Sequence, residues 1–325
     1  MSSGSSANPV QPRVAVPTST ATTAQYTLRF TDAARHFIDV EATYPARGRT
    51  AIEVMMPVWT PGSYLVREYA RHVEDFRVGT ERGALGQFEK ISKNRFRLIA
   101  DAETHFVLRY RIYARERSVR TNFVDIDHAV ITPAATFFVD VDHRDEPHRI
   151  VVEPHDGWPD IAVALPRAST GTASSTYVAE NFDDLMDAPL LIGRLDRRAF
   201  EVAGVEHELV TFGGGDVWDA ARAVEDTKRM TKAIVEFWGG PIPYDRYLFL
   251  NVLNEHRGGL EHRASTVLMA SAWISRDEER YRGWTGLVAH ELFHAWNGKR
   301  LRPVSLGPFD YEAENYVRTL WVVEG

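Results

Sequence analysis

His290-Glu291-Leu292-Phe293-His294 sets two histidines four residues apart, with a glutamate directly after the first. On a helix this spacing puts both imidazoles on one face, converging on a single point as two ligands of a zinc ion would. Glu291 then lies about 100° around the helix from His290. From there its carboxylate reaches the open coordination position of such an ion, where a water would be deprotonated. Leu287, Val288, Ala289, Leu292, Phe293, Ala295 and Trp296 leave no polar face around the motif, so burying its three ionisable residues without a metal would be costly. A catalytic zinc takes three protein ligands and keeps one position open. The chain has no cysteine, which excludes disulfides, thiol nucleophiles and iron–sulfur clusters and leaves His, Asp and Glu as ligands. The downstream acids are Asp310, Glu312, Glu314 and Glu324. The first three lie in a polar stretch and read as solvated or helix-terminal charges. Glu324 stands alone after Leu320-Trp321-Val322-Val323, and a buried carboxylate needs a partner, so it reads as the third ligand with Glu314 as competitor.

A second feature lies upstream. The apolar run Tyr247–Leu253 leads into Asn254-Glu255-His256-Arg257-Gly258-Gly259-Leu260-Glu261-His262-Arg263. Adjacent glycines beside a strand let another backbone approach closely. An acid just after them could receive a cationic amine, although spacing alone favours a solvent-facing loop acid at Glu261. His256 and His262 flank the glycines and are candidates for a place near substrate. Lys299, Arg300 and Arg302 form a basic cluster too short for nucleic acid, read as packing or pairing near the site. His128, His143, His148 and His155 lack metal spacing and read as surface or loop histidines.

These residues need elements to hold them. The length of 325 residues suggests about two domains, and 44% hydrophobic with 26% charged residues is a globular balance. Lys and Arg number 38 against 45 Asp and Glu, a formal charge of −7, so a basic nucleic-acid face and a polybasic membrane anchor are not expected. No apolar run is long enough to span a membrane. Residues 1–24 are Ser/Thr/Ala/Pro-rich and lack the basic start and apolar stretch of a secretory signal. They read as a disordered leader of a cytoplasmic protein. From Gln25 onward short alternating segments with polar breaks suggest an antiparallel β-sandwich, ending in a Ser/Thr/Gly loop over Pro166–Thr176. After Gly213-Gly214-Gly215 the period becomes helical. Helices are expected over Val217–Trp238, over roughly Trp284–Gly298 and from near Glu312, with the single strand run Tyr247–Leu253 between them. The fold class is α+β, with a β-sandwich over 25–180 and a second domain over 181–325.

Three motifs, in order, resemble the glycyl aminopeptidase family of zinc peptidases. They are Trp59-Thr60-Pro61-Gly62-Ser63-Tyr64 with Arg67, Gly258-Gly259-Leu260-Glu261-His262, and the His290–His294 pentad with Ala295-Trp296-Asn297-Gly298-Lys299-Arg300-Leu301-Arg302-Pro303 and Leu320–Gly325. The resemblance implies an N-terminal β domain followed by a thermolysin-like catalytic domain, of which 181–325 would be the first part. It implies one zinc per chain held by His290, His294 and Glu324, with Glu291 as general base and Glu261 as anchor of the substrate α-amine. Trp59 and Tyr64 read as domain-packing aromatics. The interval from His294 to Glu324 is longer than in the wider aminopeptidase clan but suits this family. The family's catalytic domain continues past this glutamate, with an oxyanion-stabilising residue and usually a PDZ module, so a C-terminal remainder of the same protein is an expected partner.

The expected activity is release of an amino-terminal residue, Gly or Ala by family likeness, from a peptide laid along Gly258-Gly259. An endopeptidase of the same fold and a non-catalytic, zinc-holding peptide-binding fragment are the rival readings.

Overall fold

Strands form where apolar residues alternate. In Phe37–Pro45 the side chains of Ile38, Val40, Ala42 and Tyr44 are buried while Phe37, Asp39, Glu41 and Thr43 are half exposed, the period of a strand with one face on a core. The computed structural model describes residues 22–63, 65–170 and 174–324. The leader expected over 1–24 lies outside the described residues up to position 21, and so do Tyr64 and Gly325; Ala24 already opens the first strand.

Phe37–Pro45 lies inside a seven-stranded sheet. Its order is Arg167–Thr170, Ser175–Ala179, His148–Glu153, Ala24–Arg29, Phe37–Pro45, His105–Tyr113 and Val73–Thr80. Against it packs a four-stranded sheet of Val139–Asp140, Ala51–Met55, Arg95–Ile99 and Gln87–Lys90, with Ile52, Val54, Phe96 and Leu98 in the shared core. A third sheet orders Asp160–Ala162, Leu190–Gly193, His128–Ile131 and Phe123–Val124. The expected antiparallel sandwich needs one correction, because Ala24–Arg29 and His148–Glu153 run parallel. The long stretch between them allows the crossover that parallel pairing requires. Within the loop expected over Pro166–Thr176, Arg167–Thr170 and Ser175–Thr176 are strand, paired at the sheet edge, and 171–173 lie outside the described residues; threonine suits such a strand although its polarity reads as loop.

The second half carries more sheet than its sequence suggests. Beside the expected strand, found at Arg246–Leu253, four others build a mixed sheet. Its order is Asp196–Val202, Val205–Phe212, Arg246–Leu253, Ser265–Ala270 and Gly258–Glu261. Ser265–Ala270 is wholly buried and shows no alternation, and Gly258–Glu261 opens with two glycines, so neither has a strand signature. Helix Ala220–Trp238 starts from Asp219, whose side chain accepts from the Arg222 amide, and stops at Gly239.

The motif helix runs Glu278–Phe293 rather than Trp284–Gly298. Asp277 caps it by accepting the amides of Glu279 and Arg280, and its charged first turns hide the start from an apolar reading. The last helix is Leu320–Glu324 and does not begin near Glu312. There the Asp310 carboxylate accepts the Glu312 amide and Asn315 Nδ2 donates to the Asp310 carbonyl at 2.6 Å, local bonds that compete with a helix. Among the described residues no helix is long and apolar enough to cross a membrane.

The two halves are joined through 309–312. Tyr311 stacks on Trp59 at 5.1 Å and 9°, and its hydroxyl donates to Asp183 at 2.9 Å. Trp59 Nε1 donates to the Asp310 carbonyl at 2.8 Å. Arg95 pairs with Glu312, to which Asn94 also donates at 3.2 Å. Trp59 is thus the packing aromatic the sequence suggests.

Candidate active site

His290 sits in the last turn of the motif helix and His294 caps its end. Their Nε2 atoms are 3.0 Å apart, and Glu324 Oε2 lies 3.8 Å from the first and 3.6 Å from the second. Three ligands spaced tetrahedrally around an ion at about 2.0–2.1 Å would stand roughly 3.3 Å from one another, so this donor set fits zinc. His294 Nδ1 is 2.9 Å from the Asn297 carbonyl. A carbonyl only accepts, so Nδ1 carries the proton and Nε2 keeps its lone pair for a cation. Asn297 also brings up the third acid, since its Nδ2 donates to the carbonyls of Val322 at 3.0 Å and Val323 at 3.3 Å. Glu324 is 40% exposed and His290 46%, so the centre opens to solvent, against the expectation of a buried carboxylate. Glu314, the competitor, is exposed and stands outside this cluster.

On the other side of His294 stand two buried carboxylates. Glu261, Glu291 and His294 each offer an atom within 4.8 Å of the others. Glu261 ends the edge strand, opposite Thr266, and Gly259 lies opposite Leu268. Glu291 rests directly on Gly259; a Cβ there would collide with its carboxylate, so only glycine lets the helix carry this acid against the strand. Glu261 is covered from the β-domain by the turn Thr60–Ser63. A Cβ on Gly62 would stand 2.5 Å from both Glu261 oxygens, and its φ of +89° also requires glycine. Arg67 braces that turn, donating to Ser63 Oγ at 2.7 Å and the Leu65 carbonyl at 2.9 Å. Arg120, also from the β-domain, donates to the Gly259 carbonyl at 3.4 Å.

Electrostatics follow from this crowding. Burial, and next the charge of Glu261, push Glu291 up to about 8 against the pull of Arg120. Burial and the neighbouring His294 lower His290, which favours the neutral, ligating imidazole. Behind the edge strand, Asp187 takes Nδ1 of His262 at 2.8 Å, Lys299 Nζ at 3.0 Å and the Arg263 amide at 2.9 Å. Burial raises Asp187, yet Lys299 and His262 bring it below its ordinary value.

Of the remaining expectations, Lys299 does pair near the site, while Arg300 reaches the Pro241 carbonyl and Arg302 covers the Phe309 ring. His262 is buried against Asp187 and His256 is exposed. His128 and His148 are not surface histidines; both are buried, and desolvation lowers His148 to about 4. Sequence reasoning missed Gly62 and Arg120 as neighbours of the site. The Pro61-Gly62 turn was visible, but nothing local tied it to Glu261, and Arg120 sits in an ordinary charged loop.

Comparisons with known proteins bear on both halves of the chain. The family profile described as the peptidase M61 N-terminal domain matches residues 25–194, and that of M61 glycyl aminopeptidase matches 283–325. Among solved structures, the chain is similar to an aminopeptidase N family protein from Idiomarina loihiensis, with a TM-score of 0.86 and 30% identity over 93% of this chain and 52% of that one. It is similar in fold to a mutant M1 zinc metallopeptidase from Deinococcus radiodurans, with a TM-score of 0.50 and 14% identity over 86% of this chain and 64% of that one. The chain therefore spans about half the length of the Idiomarina protein. A comparison with curated proteins finds no match.

Proposed function

The chain belongs to the M61 glycyl aminopeptidase family, and from that premise we propose that it is a zinc-dependent aminopeptidase acting on peptides with a free amino terminus. In this reading residues 25–180 are the β-sandwich domain and 181–325 the first part of a thermolysin-like catalytic domain. His290, His294 and Glu324 hold one zinc ion. When bound, zinc supplies Lewis acidity, polarising the scissile carbonyl and making water a better nucleophile at neutral pH. Glu291 takes the proton from the attacking water and returns it to the leaving amine; the positive charge of a bound ion would hold it in the carboxylate form that accepts the first proton. The edge strand Gly258–Glu261 pairs with the substrate backbone, its glycines leaving room for close approach.

The observation that carries the exopeptidase reading is the placement of Glu261. Its carboxylate is buried, stands beside Glu291 and His294, and is closed off by Gly62. Such a desolvated acid is well matched by an ammonium and poorly by an internal peptide bond. Gly or Ala as the released residue is the family's preference.

The test pairs metal analysis with two substrates. Zinc should bind at one per chain and be lost in His290→Ala and His294→Ala. Glu261→Gln should lower kcat/KM for alanyl p-nitroanilide by about 10- to 150-fold and leave the poor N-acetylated analogue unchanged. Equal loss on both substrates would make Glu261 a support of the fold or metal shell, a blocked substrate cut as fast as its free-amine counterpart would favour the endopeptidase reading, and zinc binding without hydrolysis of either would favour a non-catalytic peptide binder.

A further inference from the structure

We propose that Arg120, reaching in from the β-domain, is a carboxylate clamp that suits this site to dipeptides, an inference that rests on the aminopeptidase reading. The direction of the substrate follows from three groups already placed. Its amine lies at Glu261, at the end of the edge strand, and its reacting carbonyl lies near Glu291, which stands beside Glu261 on the side toward Gly259. The peptide therefore runs from Glu261 back toward Gly258, antiparallel to that strand. Two residue steps along a strand cover about 7 Å, the span of an extended dipeptide. Counted from Glu261, they end at Gly259, where the Arg120 guanidinium stands.

The present contacts of Arg120 are those of a group without its proper partner. Its Nη2 to the Gly259 carbonyl is 3.4 Å, long for a hydrogen bond to a charged donor. A Cβ on Gly258 would be 3.9 Å from Nη1, so the guanidinium covers the strand end. Among the described residues no carboxylate forms an ion pair with it. The loop beneath is fixed, because the Tyr69 hydroxyl holds the Arg120 carbonyl at 2.8 Å. A dipeptide would exchange partners with little movement. Its single peptide N–H takes over the Gly259 carbonyl, and the freed guanidinium binds the terminal carboxylate in a two-pronged pair. A longer peptide presents a neutral carbonyl at that position and gains one weaker bond.

The experiment compares alanyl-alanine with alanyl-alanine amide on the zinc-loaded protein and on Arg120→Met, which keeps the apolar stem. Loss of the charge should lower kcat/KM for the free acid by about 10- to 100-fold more than for the amide, mainly through KM, on top of whatever both substrates lose through the nearby Glu291. Arg120→Lys should recover part of the loss. Equal losses on acid and amide would overturn the proposal by placing Arg120 at the scissile carbonyl or at Glu291, and no loss on either would also overturn it. If the wild type hydrolyses neither peptide, the aminopeptidase reading fails on its own. Calorimetric binding of the same two peptides to metal-stripped protein then decides the clamp: tighter binding of the acid that disappears in Arg120→Met supports it, and equal or absent binding overturns it.

Discussion

Replacing Glu291 by glutamine in the metal-free protein should stabilise the fold, and more so as the pH rises. In the native protein burial and Glu261 hold this carboxyl at about 8, against an ordinary value of 4.5. Below 4.5 both folded and unfolded chains keep the proton. Between 4.5 and 8 the unfolded chain releases a proton that the native chain retains, so wild-type stability falls as the pH rises through that window. At about 1.4 kcal/mol per pH unit the loss amounts to roughly 3 kcal/mol by pH 7. Glutamine is close in shape and does not titrate, so the variant escapes this loss. Thermal unfolding of chelator-treated wild type and Glu291→Gln at pH 4.5, 7 and 8.5 would read it. The midpoints should separate by several degrees at the two higher values, at about 2–4 °C per kcal/mol, and draw together at pH 4.5. A separation that does not change with pH would refute the argument that Glu291 is protonated by its surroundings.

The pocket walls give two more expectations. Gly62→Ala places a Cβ against both Glu261 oxygens at a positive φ. It should cost about 1–3 kcal/mol of stability and at least about 10-fold in kcat/KM on free-amine substrates, while zinc content stays at the wild-type level. Asn297→Ala cuts the ties to Val322 and Val323 that carry Glu324. Zinc affinity, measured by chelator competition, should fall by about 10- to 100-fold although all three ligands remain.

What the sequence revealed follows the range of the physics. The pentad at His290–His294 was legible because helical spacing alone makes its two imidazoles converge. Apart from the family resemblance, Glu324 could be preferred over Glu314 only as an isolated acid, because the Asn297 side chain that holds its segment is bonded 25 and 26 positions away and leaves no local pattern. The strand Arg246–Leu253 was visible as a continuous apolar run. Gly258–Glu261 was not, since its glycines serve a close approach that propensity scores as a loop. Gly62 and Arg120 were out of reach for the same reason on a larger scale: each acts on a residue that folding, and not sequence, places beside it.

Trp59 donates to a carbonyl 251 positions later, and Tyr311 lies against both Trp59 and Phe182. In kinetic terms such contacts close late, because the entropy of a very long loop must be overcome before any of them forms. The β-domain can assemble from nearer contacts, whereas the turn bearing Gly62 meets Glu261 only once this distant docking is complete. Burial of Trp59 during refolding should therefore trail formation of the sheets. A half-folded chain then has the helix of His290 and His294 but not the closed surroundings of Glu261, so topology alone makes completion of this cluster the last step of assembly.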